Sequence, residues 1–272
     1  MDDIHIVFDI GGTKMRVAAA SAETLEEPLK VSTPADPKVA IAELARMAQE
    51  AAKGRRIAGA AGGSRWIISN GIFMPGDPAL PGWGRFPLVP EMESAFGASI
   101  NIVHDTAAVG LGEVHFGAAK GSSICAYVTV STGVGGDRIV DGHVDRATYN
   151  FEIGHQYING ETLENQVSGT AVKRKFGIEP KDFSSEEERN KLADILGIGL
   201  YHTVLYWSPD TIVLGGSMIV GTNPIPLART EEKMNSLLTM FPKPPKLVMA
   251  ALGSGWAPWR ASACARHRSC VI

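Results

Sequence analysis

Ile102-Val103-His104-Asp105-Thr106-Ala107-Ala108-Val109-Gly110-Leu111-Gly112-Glu113 changes character at its fourth residue. Apolar residues of a strand (Ile100, Ile102, Val103) run into His104-Asp105, and small residues over 106–114 then read as a helix. Asp105 therefore stands at a strand-to-helix junction, where an Asp can cap the helix by accepting from its orphan N–H groups. The C-terminal end of a strand is also where open α/β sheets place reactive groups. On this stretch alone both roles stay open, and the flanking segments have to decide between them.

Working outward, Gly-Gly pairs recur at 11–12, 62–63, 135–136 and 215–216, each after an apolar β-type run. Paired glycines after strands mean turns with positive φ, or backbone brought close to a ligand. Ile4-His5-Ile6-Val7-Phe8-Asp9-Ile10 is a buried strand by its apolar run, and a strand pattern resumes at 15–20. The turn between them, Gly11-Gly12-Thr13-Lys14, can donate N–H and hydroxyl groups to oxyanions. Asp9 could hold a hydrated Mg²⁺ beside such phosphates, since Mg²⁺ favours few carboxylates plus water. A plain glycine hairpin with Asp9 as a turn residue fits the same residues. The spacing is not that of a Walker A loop, which needs a following helix.

Residues 35–53 read as a helix, with Asp36 as N-cap, Pro37 in the first turn and Gly54 past the end. A strand over 57–61 is expected to stop at Gly62-Gly63, and Asn70-Gly71 predicts a type I′ hairpin. The Pro- and Gly-rich stretch 74–90 reads as a surface loop whose Leu80-Pro81-Gly82-Trp83 is better read as a packed turn than as a cleft wall. Beyond Asp105, an apolar strand over 123–130 ends in Ser131-Thr132-Gly133-Val134-Gly135-Gly136. This repeats the layout of the first turn and runs on into a strand, unlike a dinucleotide-binding fingerprint. Helices are expected over 161–176, over 184–207 with Ser184 as N-cap and Glu187 in a capping box, and over 226–240. Strands are expected over 211–214, ending at Gly215-Gly216-Ser217, and over 246–252.

Length allows two domains, read as 1–116 and 117–252, followed by a tail, 253–272, that is rich in Trp, Arg and Cys and has no periodicity. Hydrophobic residues at 44% and charged residues at 20% describe a soluble globular chain. A net charge of -3 with scattered basic residues offers nucleic acid no footprint. No apolar run reaches about eighteen residues and no signal peptide is evident, so no membrane partner is expected. Three cysteines (Cys125, Cys264, Cys270) without a CxxC pair point to a reducing, cytoplasmic setting.

The ordered set of motifs resembles the ROK family, the sugar kinases and related repressors of the hexokinase–actin superfamily, over about residues 4 to 252. Asp9-Ile10-Gly11-Gly12-Thr13-Lys14 resembles the family's first phosphate motif, and the turn with Thr132, Gly133, Gly135 and Gly136 its second. Asp105-Thr106-Ala107-Ala108 is similar to the segment whose Asp is the catalytic base. Glu152-Ile153-Gly154-His155 and Glu164 resemble sugar-binding positions, and Leu214-Gly215-Gly216-Ser217 the adenosine-binding turn. The resemblance implies a two-domain α/β, ribonuclease H-like fold of actin/hexokinase type with an interdomain cleft. It also implies ATP and Mg²⁺ as cofactors, a hexose or aminohexose as substrate, and Asp105 taking the hydroxyl proton. It is compatible with a homodimer.

Departures from the family pattern shape the expectation. His104 stands where the family has Asn next to the catalytic Asp, and Ala79 where many relatives have a sugar-binding Asn. Both alter the sugar contacts, His104 being counted among them. The family's zinc site needs cysteines after the His of Glu-x-Gly-His, yet the eight residues between His155 and Glu164 include none, so no zinc is expected. The family's C-terminal Gly-rich helix is not recognisable after Gly253. Two other readings stay beside the kinase: a sugar-binding pseudokinase, and a sugar-responsive regulator without a DNA-binding domain, since only three residues precede Ile4.

Overall fold

β1 (Ile4–Ile10) is buried along most of its length, and two sheets of the same plan arise from how such strands are paired. In this computed structural model residues 3–21 and 25–252 are described, which places the expected tail 253–272 and Cys264 and Cys270 outside the described residues. The chain forms two compact units. One runs to Ala108 and takes in Thr148–Asn150; the other comprises Val109–Ala147 and resumes at Phe151.

The first unit continues with β2 (Lys14–Ala20), β3 (Leu29–Ser32), α1 (Pro37–Ala52), β4 (Ile57–Ser64), β5 (Ile68–Ser69), β6 (Ile72–Phe73), α2 (Leu88–Phe96) and β7 (Ile100–His104), which leads into α3 (Asp105–Phe116). Its sheet has the order β3-β2-β1-β4-β7, with β1, β2 and β3 antiparallel and β4 and β7 parallel to β1. Ile6, Phe8, Ile10, Met15 and Val17 pack with Ile41, Leu44 and Met47 of α1. Each such side chain contributes about 1.5–3 kcal/mol by leaving water. Asp36 caps α1 by accepting from Lys38 N at 2.8 Å. Asn70 and Gly71 both take positive φ, 51° and 76°, as the type I′ hairpin between β5 and β6 requires. Trp83 is fully buried against Phe73 and donates its indole N–H to Pro34 O at 3.2 Å, so the loop over 74–90 is anchored by a packed turn.

The second unit holds β8 (Ile124–Val130), β9 (Val134–Val140), β10 (His143–Val144), β11 (Tyr157–Ile158), β12 (Glu161–Thr162), α4 (Leu163–Val167), α5 (Gly169–Phe176), α6 (Glu186–Trp207), β13 (Thr211–Gly215), α7 (Ser217–Val220), α8 (Leu227–Leu237) and β14 (Lys246–Met249). Its sheet, β10-β9-β8-β13-β14, repeats the first: an antiparallel meander, then two parallel strands. The helix expected over 161–176 is broken in two. Thr162 caps α4, and the Ser168 hydroxyl accepts from Ala171 N at 3.1 Å to start α5. The cap of α6 is Ser185 rather than Ser184, with Glu186, Glu187 and Glu188 at the positive end of the helix dipole.

The glycine pairs work differently from a set of turns. β4 runs through Gly62-Gly63 and β9 through Gly135-Gly136, and of the paired glycines only Gly216 has positive φ, 90°. Close approach explains the others: a Cβ at Gly62 would run into Phe8 O, and one at Gly136 would lie 2.6 Å from Tyr127 O. Among the described residues no helix is long and apolar enough to cross a membrane.

Candidate active site

In the first unit Asp9 sits one residue before the end of β1, opposite Arg16 of β2 and Gly63 of β4. Arg16 Nη1 donates to Asp9 Oδ2 at 2.9 Å. Burial pushes the Asp9 carboxyl up to about 6, against the pull of Arg16 and with a further push from Asp105. Asp105 comes close because Gly63 has no side chain; a Cβ there would lie 3.1 Å from Asp105 Cα. The start of α3 thus rests on the sheet beside Asp9. His104, the last residue of β7, has Nδ1 2.7 Å from Thr106 Oγ1 and Nε2 3.5 Å from Asp105 Oδ1. Its side chain is 11% exposed and that of Asp105 47%, so Asp105 is the one presented to a ligand, with His104 bracing it.

The first turn is closed by Gly11 N donating to Lys14 O at 3.0 Å and by the Thr33 hydroxyl donating to Gly11 O at 2.7 Å. The N–H groups of Gly12 and Thr13 have no protein acceptor among the described residues. The Lys14 side chain is exposed.

In the second unit the matching turn is Ser131-Thr132-Gly133, closed by Ser131 N to Gly133 O at 2.8 Å. It is shorter than the sequence suggested, and Gly135 and Gly136 lie beyond it in β9. Glu164, in the first turn of α4, accepts from Val134 N at 2.8 Å and lies so close to Gly133 that a Cβ there would meet its Oε2. Glu152-Ile153-Gly154-His155 forms a short 3₁₀ turn seated on the start of β9: Gly154 packs on Val134 O, and Ile153 covers Gly136. Glu152 Oε2 and His155 Nδ1 are 3.5 Å apart, with His155 68% exposed. The Thr170 hydroxyl donates to Thr132 O at 2.7 Å, and Ser131 and Ser217 hydroxyl oxygens are 3.1 Å apart. A Cβ on Gly216 would meet Val130 O, and one on Gly215 would lie 2.5 Å from the Tyr127 hydroxyl. Turn, Glu-x-Gly-His segment, Glu164 and the Gly-Gly-Ser turn are thereby one cluster within this unit.

Each unit by itself thus offers a Gly-containing turn with backbone N–H groups and hydroxyls, the kind of donor set that suits oxyanions. Among the described residues no three His, Cys, Asp or Glu side chains group as a metal cluster. Asp9, a single carboxylate near the end of β1, is the residue here whose chemistry would suit a hydrated divalent ion. Sequence reading did not pick out Arg16, Arg65 and Asp77. Arg16 was findable from strand alternation, since Asp9 and Arg16 face one another across a hairpin. Asp77 and Arg65 are brought together by a loop with no periodic signal.

The family model for ROK proteins matches residues 5–258. A glucokinase of Streptomyces coelicolor is 30% identical over 264 residues, covering 79% of this chain and 82% of that one. A fructokinase of Zymomonas mobilis is 30% identical over 159 residues, 51% of this chain and 52% of that one. For several curated relatives the chain spans about half the relative's length. The crystal structure of a ROK hexokinase from Thermus thermophilus superposes with a TM-score of 0.81 at 26% identity, covering 96% of both chains. Two open sheets of one topology, the actin/hexokinase-type fold, together with a family match over nearly the whole chain, make it a member of the ROK family.

Proposed function

We propose that the chain is an ATP-dependent phosphotransferase that phosphorylates a hydroxyl of a hexose or aminohexose. The observation that carries this reading is the seating of Glu164 on the Gly133 turn, with the Glu152-Ile153-Gly154-His155 segment packed on the start of β9 next to it. Hydroxyl-binding carboxylates held against a phosphate-type turn describe a site that takes a polyol and a phosphate together. Relatives named glucokinase and fructokinase support it, as does a Streptomyces griseus ROK glucokinase crystallised with glucose and AMPPNP.

In this reading Gly11, Gly12, Thr13, Lys14, Thr132 and Gly133 meet the phosphates of ATP. Gly135 and Gly136 shape the second turn from below, and Gly215, Gly216 and Ser217 border the adenosine. Asp9 would hold Mg²⁺, which would supply neutralisation of phosphate charge. Asp105 accepts the proton of the attacking hydroxyl. A carboxylate is a weak base toward an alcohol, so the proton moves late, once the bond to the leaving group is already stretched. Glu152, His155 and Glu164 orient the remaining hydroxyls, with one Glu164 oxygen already committed to Val134 N–H. His104 steadies Asp105 rather than reading the sugar directly.

The test is a panel of hexoses and aminohexoses with ATP and Mg²⁺, coupled to ADP release. Sugar-dependent ADP from at least one member is expected. A folded protein that binds sugar and releases no ADP on any of them would sink the kinase reading and leave a sugar-binding pseudokinase.

A further inference from the structure

Arg65 and Asp77 have no part in the assignment above, yet they meet at the first Gly-rich turn. Arg65 directly follows β4, and its backbone N–H donates to Ile10 O at 3.3 Å, which places it where β1 ends. The Asp77 side chain is fully buried; its Oδ1 accepts from Ala79 N at 2.8 Å and its Oδ2 lies 3.2 Å from Arg65 Nε. The pair is held by charge rather than by an aligned hydrogen bond. A buried carboxylate costs several kcal/mol unless a cation compensates it, so Asp77 fixes where the guanidinium can be.

The other edge of that guanidinium lies on Gly12. A Cβ at Gly12 would be 2.5 Å from Arg65 Nη1 and 2.8 Å from Ala79 Cβ. Glycine at position 12 therefore keeps room for Arg65. The Arg65 side chain is 35% exposed, so a ligand in the turn can reach it. Beside it are the N–H groups of Gly12 and Thr13, which have no protein acceptor among the described residues. A planar, permanently charged fork next to two backbone donors is a site for an oxyanion.

We propose that Arg65, held by Asp77, is a further catalytic residue that donates to the oxygens of the phosphoryl group being transferred. The proposal takes its ligand from the kinase reading. The bond from the sugar oxygen to phosphorus forms while the bond from phosphorus to the ADP oxygen breaks, its electron pair leaving with ADP. The hydroxyl proton goes to Asp105, and Arg65 exchanges none; it meets the charge spread over the phosphoryl oxygens in the transition state. An acidic substituent on the sugar could supply the same oxyanion chemistry, and the experiment separates the two sources.

ATP and ADP affinities are measured by calorimetry with Mg²⁺ for the wild type, Arg65→Ala, Arg65→Gln and Asp77→Asn, with thermal unfolding as the fold control. Turnover is then measured on the preferred sugar and on uronic acids. Arg65→Ala is expected to bind ADP normally, to lose roughly tenfold in ATP affinity, and to lose ~10²–10³ in kcat with sugar KM unchanged. Asp77→Asn should show a smaller loss of the same kind. Should Arg65→Ala misfold, Arg65→Gln carries the same comparison in a side chain of similar length. An unchanged ATP-to-ADP affinity ratio overturns the proposal. So does a rise confined to sugar KM, or a wild-type preference for uronic acids that the variants lose, because Arg65 then belongs to the acceptor. Affinity needs no turnover, so a wild type that binds ATP but phosphorylates nothing sinks the kinase reading alone, and the ATP-to-ADP ratio still decides Arg65.

Discussion

The two sheets share one plan and differ in what they do with it. Asp9, one residue from the end of β1, faces Arg16 on β2 and Gly63 on β4. At the corresponding place on β8 stands Thr129, facing Gly135 on β9 and Gly215 on β13. The first unit builds charge into the strands and the junctions just after them: Asp9, Arg16, Arg65 and Asp105. The second leaves its strands neutral there and brings Glu164 onto the turn, and the segment carrying Glu152 and His155 onto the start of β9, from the long stretch between β10 and β13. A carboxylate fixed by strand register has one position and suits a reacting group. Carboxylates carried on short turns and helices can differ between substrates while the frame stays the same.

If that division holds, the largest effect comes from the first unit. Asp105→Asn keeps size and removes the base, so kcat should fall by ~10²–10⁴. ATP affinity and thermal stability should stay near wild type, because Asp105 is half exposed and the phosphate turns are intact. Full activity in this variant would refute the assignment and remove the reason for calling the first unit the reacting one.

The exits from the last strand of each sheet sharpen the contrast. β7 runs straight into Asp105, whereas the residues after β14 are held by a carboxylate from α3. Glu113 is fully buried and accepts from Ala118 N at 2.8 Å, Ala251 N at 3.1 Å and Leu252 N at 2.9 Å. Glu113→Ala would leave these part-buried donors without their shared acceptor and should cost about 2 kcal/mol in denaturant unfolding. A loss within the roughly 0.5 kcal/mol of ordinary surface substitutions would show that this clamp is not what secures the end of β14.

The strands were legible because burial writes itself as apolar runs, and the caps and hairpins because Asp36, Asn70 and Gly71 have local reasons to be where they are. The glycine pairs were legible as important and misleading as to why. A sequence shows that a side chain is missing but not what would have collided with it, so Gly62 and Gly63 resembled turn formers when they are points of contact with Phe8 and Asp105. His104 counts among the sugar contacts in sequence because it stands where the family has an Asn, while in the fold its ring nitrogens lie 2.7 Å from Thr106 Oγ1 and 3.5 Å from Asp105 Oδ1. The Arg65–Asp77 pair needed a fold to bring a loop residue back to the end of β4. The break at Ser168 was missed because a hydroxyl that ends one helix and begins the next is invisible to helical periodicity.

The two units should also answer pH with opposite sign. Asp9 has a folded pKa of about 6, above its unfolded value, so the folded state holds its proton more tightly. Its contribution to stability is best at low pH and is lost as pH rises from about 4 toward 6, a total of roughly 3 kcal/mol. Asp210 of the second unit behaves inversely. Burial raises its pKa, but hydrogen bonds from the Ser122 hydroxyl, the Ile124 and Ser123 N–H groups and the Thr211 hydroxyl leave it lowered overall. That contribution is present above the ordinary carboxylate pKa and is lost as pH falls through the folded one. In metal-free buffer, Asp9→Asn should raise Tm above pH 6 and flatten its fall between about 4 and 6. Asp210→Asn should lower Tm at neutral pH and weaken acid sensitivity. Parallel Tm–pH curves for the wild type and both variants would remove the electrostatic part of the contrast.

The smallest change tests the two turns against each other. Gly133 is not in the left-handed region, so Gly133→Ala brings no backbone strain, only a methyl group where Glu164 Oε2 now lies. Glu164 must then release Val134 N–H, at a cost of about 2 kcal/mol in stability. The backbone N–H at 133 remains available to phosphate. Sugar KM should therefore rise while ATP affinity holds. Gly12→Ala is the counterpart: its methyl group displaces Arg65 and leaves Glu164 untouched, so ATP affinity should weaken while sugar KM holds. Kinetics varied in each substrate separately for the two variants give the readout. A loss of ATP affinity in Gly133→Ala with sugar KM unchanged would place Glu164 on the nucleotide side, and the split between a reacting unit and a substrate-reading unit would no longer describe this chain.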